Sequence, residues 1–310
     1  MTAPFAPGSV SFRLYPHGEL PAEEIVAVYR RQAATAVAAG FDGVMTSEHH
    51  GGFGGYLPNP IQAAGWALEA MPTGWAAPCP LLLPLRPAGL VVEEVAWLAA
   101  RHPGRVGVGV AAGSLQTDFD IMGLDKTDLT ARFAAGLATV AAGLRGKPDG
   151  ELANDQAVRR CDEHPVPVLS AAMSPTAVRR AATTGVGLLF DSLTDLGRCR
   201  ELIDSYRDAG GAHPVVLIRR VWVGEAPTER HHDQVGVYAG YSSPGAQSHW
   251  DSAAMITGTA TAIADQLNDA LAVTGADALN LRIHAPGIEV ASIDEQVEAL
   301  HEVVAATRTG

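Results

Sequence analysis

The chain has 310 residues, 47% hydrophobic and 18% charged, which is enough apolar side chain for a large core and too little charge for a disordered polymer. Its 22 lysines and arginines stand against 34 aspartates and glutamates, a net charge of −12 with no basic run, so nucleic acid and anionic membranes are poor partners. The three cysteines, Cys79, Cys161 and Cys199, are odd in number and lack C-x-x-C spacing, which argues against a disulfide framework and a zinc ribbon. Residues 1–8 are Pro-rich without a basic n-region or an apolar h-region, and no run of about 18 apolar residues follows, so a soluble, cytoplasmic protein is expected.

Short β-rich runs alternate with longer amphipathic ones. Residues 10–15 read as a strand and 21–39 as a helix, with Pro21 suited to a first turn, Glu23 and Glu24 complementing the helix dipole, and Gly40 closing it. A second strand is expected at 43–45, a helix at 61–70, a largely apolar third strand at 75–83, and a helix at 90–100 with Glu93 and Glu94 on its polar side. The series continues with strand 106–110, helix 131–144, strand 166–171, helix 175–183, strand 186–190 and helix 196–209. Strand 215–223, helix 261–273, strand 278–283 and helix 293–306 complete it. Eight strands followed by helical patterns predict an α/β fold, a closed (β/α)8 TIM barrel forming one domain over residues 1–310. Near-continuous apolar strands fit parallel strands buried on both faces.

Two places break the rhythm. Pro78 and Pro80 flank Cys79 inside the third strand, and because proline cannot donate to a ladder they predict a bulge or a cis bond. Residues 224–256, after the seventh strand, are rich in Gly, Ser, His and Tyr and include His231, His232, Tyr238, Tyr241, His249 and Trp250. A connection of that length reads either as a lid or binding loop or as partial helix with a surface excursion.

In a parallel barrel the reactive face is built from residues just after each strand. Ser47-Glu48-His49-His50-Gly51-Gly52 leaves the second strand there, and a carboxylate with two imidazoles needs hydrogen-bond partners, a metal or a ligand unless it is a solvated loop. Its neighbours at the mouth are Arg86, Ala112-Gly113-Ser114, Ala172-Met173-Ser174, Asp191-Ser192 and His284. Histidines around a barrel mouth with an aspartate also describe a metal-dependent hydrolase, but the first strand lacks a His-x-His pair and the fifth ends in Ala171-Ala172. Gly107-x-Gly109-x-x-x-Gly113 is one residue too long for a dinucleotide fingerprint and reads better as glycines admitting a flat ring close to the backbone. In Ser170-Ala171-Ala172-Met173-Ser174-Pro175, Ser174 suits a cap and Pro175 a first turn, which outlines a phosphate site but also opens many helices that bind nothing.

In order and spacing the residues resemble the bacterial luciferase-like flavin-dependent monooxygenases from Val10 to Arg308. The resemblance rests on Gly40-Phe41-Asp42 leading into Ser47-Glu48-His49-His50, on Asn59-Pro60, and on Leu81-Leu82-Leu83-Pro84-Leu85-Arg86 before Glu93-Glu94. It continues in Gly104-Arg105-Val106-Gly107-Val108-Gly109-Val110, Asp118-Phe119, Met122-Gly123-Leu124-Asp125, Ser174-Pro175 with Arg179-Arg180-Ala181-Ala182, and Gly258-Thr259.

The resemblance implies a barrel that binds reduced FMN, or in some branches the deazaflavin F420, with the ring across the mouth. It implies His49 as the acid/base group and His50 and Glu48 as its support; an imidazole suits proton transfer near neutrality. Cys79 and Pro80 fall where the family has a cis peptide beside the ring, and a cis prolyl bond is expected there. By the same likeness Met173 and Ser174 hold the cofactor phosphate, Ala112, Gly113 and Ala172 lie along the cofactor, and residues 224–256 form a mobile lid. The implied partners are a small organic substrate with an apolar carbonyl, a separate flavin reductase, and a second copy of the chain, with Ile61, Trp66 and Leu68 as an apolar patch for a homodimer or simply as packing on the barrel. The chain departs from the family pattern at Pro87, where many members have histidine, and at Ala112, where an arginine is frequent, which weakens the case for a strongly anion-binding pocket and leaves open a transient reduced cosubstrate. F420-dependent hydride transfer on the same fold and a non-catalytic flavin-binding barrel are the rival readings.

Overall fold

A computed structural model describes residues 2–251 and 255–307; residues 252–254 of the long segment, and Arg308 at the end of the resemblance, lie outside the described residues. The strands are β1 (Val10–Leu14), β2 (Gly43–Thr46), β3 (Trp75–Pro78), β4 (Leu81–Leu82), β5 (Val108–Ala111), β6 (Val168–Ala171), β7 (Gly187–Phe190), β8 (Val215–Val223), β9 (Met255–Gly258) and β10 (Ala278–Arg282). Every ladder is parallel, in the order β3-β2-β1-β10-β8-β7-β6-β5-β4. An isolated bridge between Ala76 and Val106 joins β3 to the chain entering β5 and nearly closes the ring. The register Val10↔Leu279 and Ser11↔Gly43 sets β1 between β10 and β2.

The third barrel position is split, as its prolines predict. β3 and β4 occupy it in succession, separated by the cis Cys79-Pro80 bond, and they pair with β2 and β5 respectively. Pairing is interrupted where proline offers no N–H.

The helices are α1 (Ala22–Ala38), α2 (Pro60–Ala70), α3 (Ala88–Arg101), α4 (Gln116–Ile121), α5 (Leu129–Gly143), α6 (Gln156–Arg160), α7 (Pro175–Thr184), α8 (Leu196–Asp208), α9 (Thr228–Ala239), α10 (Pro244–Gln247), α11 (Ala260–Thr274) and α12 (Val290–Thr307). Short polar side chains start several of them: Asn59 accepts from Gln62 N at 3.1 Å before α2, and Asp195 from Arg198 N at 2.8 Å before α8. No helix of the described residues is long and apolar enough to cross a membrane.

Strand alternation divides the core into two shells. Outward residues such as Val44, Ala76, Val108 and Leu188 pack against the helices, while Met45, Trp75, Ala77, Leu169, Leu189, Val216 and Ile218 form a separate inner cluster. Phe5 plugs the amino-terminal end of that inner cluster, fully buried with its ring edge-on to Trp75 at 5.2 Å. The faces are therefore opposite in kind, with one end filled by Phe5 and the other left for ligands. Ile61 and Leu68 are buried and Trp66 packs on the same outer shell, so the apolar residues considered as a dimer patch are turned toward the barrel.

The described residues of the long segment after β8 include α9, α10 and β9, and β9 pairs with the end of β8 from Arg220↔Met255 to Val223↔Gly258. It is pinned to the loop after β7 by Asp195 N donating to His249 O at 2.9 Å and Asp251 N donating to Leu193 O at 2.7 Å.

Candidate active site

The carboxyl ends of the strands open into a cavity of about 360 Å³, within the ordinary range for a small-molecule site. Its walls include Arg13 and Tyr15 from β1 and its exit, Ser47 to His49 after β2, Pro80 and Leu82 around the break, Ala111 at the end of β5 and Gly113 beyond it, Ala171 at the end of β6 and Met173 beyond it, and Asp191 after β7. Tyr238, Tyr241, Ser242 and Trp250 come down from the segment after β8 and roof it.

His49 Nδ1 lies 2.7 Å from Oδ2 of Asp118, and the other carboxylate oxygen accepts from His50 N at 2.8 Å. Asp118 is completely buried at the start of α4, after β5. A carboxylate only accepts, so Nδ1 carries the proton and Nε2 is the atom of His49 left for chemistry.

Glu48, in the cavity wall, and His50 form a second network. Fully buried, Glu48 accepts from Leu82 N at 2.7 Å, from Arg86 Nη2, and lies 2.9 Å from His50 Nε2. The carboxylate thus ties β2 to β4 across the cis bond and satisfies every polar group it meets.

Rings surround His49, with Tyr56 edge-on at 4.4 Å, Phe53 at 4.7 Å and Tyr241 at 6.3 Å between centroids. Tyr56 OH meets Tyr238 OH at 2.9 Å, Arg282 donates to Tyr238 OH at 2.6 Å, and the Arg282 guanidinium lies 4.6 Å above the Tyr15 ring. Burial pushes the Tyr56 and Tyr241 phenols above the ordinary tyrosine range, so both stay protonated donors at neutral pH. Arg13 is consumed internally, bonding Asn280 Oδ1 at 2.6 Å, Cys79 O at 2.8 Å and Ser47 Oγ.

Of the residues singled out in the sequence, His49, Pro80, Gly113 and Met173 line the cavity together. Ser174 lines an adjoining cavity of about 400 Å³ with Met173, Asp191, Arg198, Ser243 and His249, and caps α7 by accepting from Ala177 N at 3.3 Å. His50, Cys79, Ala112 and Ala172 are absent from both linings. For Ala112 and Ala172 the reason is parity: successive side chains of an extended segment face opposite ways, so Ala111 and Ala171 take the inward positions and Ala112 and Ala172 the core, while His50 is turned to Glu48 and Cys79 lies in the inner cluster.

The glycines of β5 and its approach are required by packing inside the barrel. A Cβ on Gly109 would stand 2.2 Å from Cys79 Sγ, and one on Gly107 would stand 2.6 Å from the Phe5 ring. The mouth histidines are also dispersed, His49 to Asp118, His50 to Glu48, and His284 to a ring stack with Tyr15 at 5.2 Å. Among the described residues no group of three or more His, Cys, Asp or Glu is placed to hold a metal ion.

Asp118, Arg13, Tyr56 and Arg282 escaped the sequence reading. Asp118 stood in a matching Asp118-Phe119 pair but in a loop region with no strand to place it. Arg13 and Arg282 were the informative signals, being charged residues inside strands that otherwise read as wholly buried.

A parallel barrel with a histidine–carboxylate pair at its carboxyl-end mouth has the layout of a TIM-barrel enzyme. The chain belongs to the luciferase-like monooxygenase family, whose pattern matches residues 11–309. It is 33% identical over 181 residues to an F420-dependent glucose-6-phosphate dehydrogenase of Beutenbergia cavernae, a match spanning 54% of this chain and about half (52%) of that relative's length. Its fold is similar to a monooxygenase from Streptomyces bottropensis, with TM-score 0.78, 18% identity, and 96% and 98% of the two chains covered. It is also similar to the oxygenating constituent of 3,6-diketocamphane monooxygenase from Pseudomonas putida, solved with FMN, at TM-score 0.76, 15% identity, and 97% and 98% coverage. The family is one of oxidoreductases and monooxygenases.

Proposed function

We propose that the protein is a flavin-dependent monooxygenase that uses reduced FMN and oxygen on an apolar carbonyl or related organic substrate. The observation that carries this reading is His49, held by a buried carboxylate with Nε2 left free at the wall of a roofed cavity. The residues present fit the cofactor: Ala111, Gly113, Ala171 and Pro80 leave room for a planar ring, and the adjoining cavity offers Ser174 at the start of α7 with Arg198 for a phosphate. Bound reduced FMN would supply the electrons that activate oxygen.

His49 accepts a proton from the reacting group at Nε2, and the Asp118 carboxylate stabilises the imidazolium so formed. Tyr56 and Tyr241, kept protonated, offer hydrogen bonds to a developing oxyanion. Tyr238, Tyr241 and Trp250 in the roof exclude water from the reacting centre.

Oxygen consumption with reduced FMN and a panel of ketones and aldehydes tests the reading. His49→Ala is expected to bind FMN as the wild type does and to turn over roughly 10²–10⁴-fold more slowly; wild-type turnover in that variant refutes the assignment. The Beutenbergia cavernae relative favours a second reading, hydride transfer with F420. Binding of F420 with no binding of FMN, and substrate reduction without oxygen, would select it.

A further inference from the structure

Behind the mouth and beneath α9 lies a second cavity, of about 470 Å³, with Arg220, His231, Val235 and Trp250 in its walls. Leu193 and Trp250 line both this cavity and the mouth. Arg220 is 1% exposed and donates from Nε to Ser192 Oγ at 3.1 Å. Among the described residues neither of its terminal nitrogens has a hydrogen-bond partner, and neither ring nitrogen of His231 has one.

Four guanidinium N–H groups are therefore buried without a hydrogen-bond acceptor among the described residues, and the guanidinium has only the face of the Tyr238 ring, 5.8 Å away, to answer its charge. Burial and the nearby charge of Arg282 push Arg220 down to about 10, which leaves it a full cation at neutral pH. Burial, Arg220 and Arg282 push His231 down to about 3, so it faces the cavity as a neutral ring with one N–H and one lone pair. A buried charge without a hydrogen-bond acceptor is costly, and an anionic ligand entering the cavity would answer it.

We propose that this cavity binds the carboxylate of an organic-acid substrate, gripped through both terminal nitrogens of Arg220 and a hydrogen bond from His231. The apolar body of the acid then passes Leu193 and Trp250 into the mouth, bringing its reactive carbon to His49. This rests on the oxidoreductase reading of the mouth and narrows its substrate to one with an anionic end.

Calorimetric titration of the cofactor-free protein with 7-oxooctanoate and with its amide, 7-oxooctanamide, tests the proposal without turnover. The acid is expected to bind at least tenfold more tightly, and Arg220→Gln, with an unchanged near-UV spectrum, to bring it to the affinity of the amide. His231→Phe should reduce the preference without abolishing it. Equal or undetectable binding of acid and amide by the wild type overturns the proposal, as does a preference that survives in Arg220→Gln. Parallel titrations with FMN and riboflavin separate the other source of an oxyanion: an Arg220→Gln variant that loses FMN affinity but keeps riboflavin affinity assigns the arginine to the cofactor phosphate and overturns the substrate assignment. Failure of the oxidoreductase reading is distinguishable, since oxygen consumption would then be absent while acid binding persists.

Discussion

Asp118→Asn isolates the charge that orients His49 while leaving its shape in place. In the native site Oδ2 takes the His49 Nδ1 proton at 2.7 Å and Oδ1 takes the His50 amide at 2.8 Å. An asparagine keeps its oxygen toward the backbone amide and must turn its NH₂ toward Nδ1. Because an amide NH₂ only donates, Nδ1 has to surrender its proton, and Nε2 becomes an N–H unable to act as a base. Losing a charge-assisted hydrogen bond to the fully buried carboxylate costs about 1.5–3 kcal/mol, and for a chain of this length the melting temperature falls by about 1.5 °C for each kcal/mol. Turnover falls further, by roughly 10²–10⁴, with KM little changed because the cavity walls are intact. Nitrogen NMR of labelled histidine reads the tautomer directly, and the pH–rate profile should lose its basic-group limb. Refutation would be a variant that retains the Nδ1–H tautomer and wild-type turnover.

Stability should fall as pH falls from 7 to 5. The unfolded chain protonates His231 below its ordinary 6.5, whereas the folded protein holds it neutral down to about 3, so unfolding takes up a proton throughout that window. One such group contributes about 1.4 kcal/mol per pH unit, about 2 kcal/mol over this interval, and His231→Phe should remove that share; equal slopes for the two proteins in denaturant titrations at both pH values defeat the reasoning. Gly109→Ala places a Cβ 2.2 Å from Cys79 Sγ and 3.1 Å from Cys79 Cβ. It should cost about 1–3 kcal/mol, and Cys79→Ala, by removing the sulfur, should recover most of the loss; simple additivity of the two changes in the same titrations would show that the contact is not what strains the variant.

The eightfold alternation was legible because parallel strands and their helices each carry a strong period, and the break at Cys79-Pro80 was legible because proline's missing donor is a covalent fact. The lining of the candidate cavity was legible to within one residue. His49, Pro80, Gly113 and Met173 lie on the cavity, while His50, Cys79, Ala112 and Ala172 lie one position away from a lining residue. A strand's end does not announce which parity faces the mouth when both neighbours are small and apolar, as in Ala111-Ala112 and Ala171-Ala172. Asp118 was hidden for a different reason: it reaches His49 across 69 positions, from a six-residue helix whose placement depends on the whole barrel.

The absence of an arginine at Ala112 argued against an anion-binding mouth, and the fold changes the weight of that argument. Three arginines, Arg13, Arg220 and Arg282, enter the carboxyl end from β1, β8 and β10, all of them buried. They are not equivalent. Arg13 is occupied by Asn280, Ser47 and the Cys79 carbonyl, and Arg282 is engaged by Tyr238 and the face of Tyr15. Such arginines shape the walls, and their charge is already partly answered by the groups they hold. Arg220 is the one of the three whose two terminal nitrogens both lack a partner among the described residues. Positive charge is thus displaced from the β5 side of the mouth to the region beneath α9, where Trp250 and Leu193 connect it to the space beside His49. An anionic ligand in this barrel is therefore best held from the α9 side, with its apolar end directed toward the histidine.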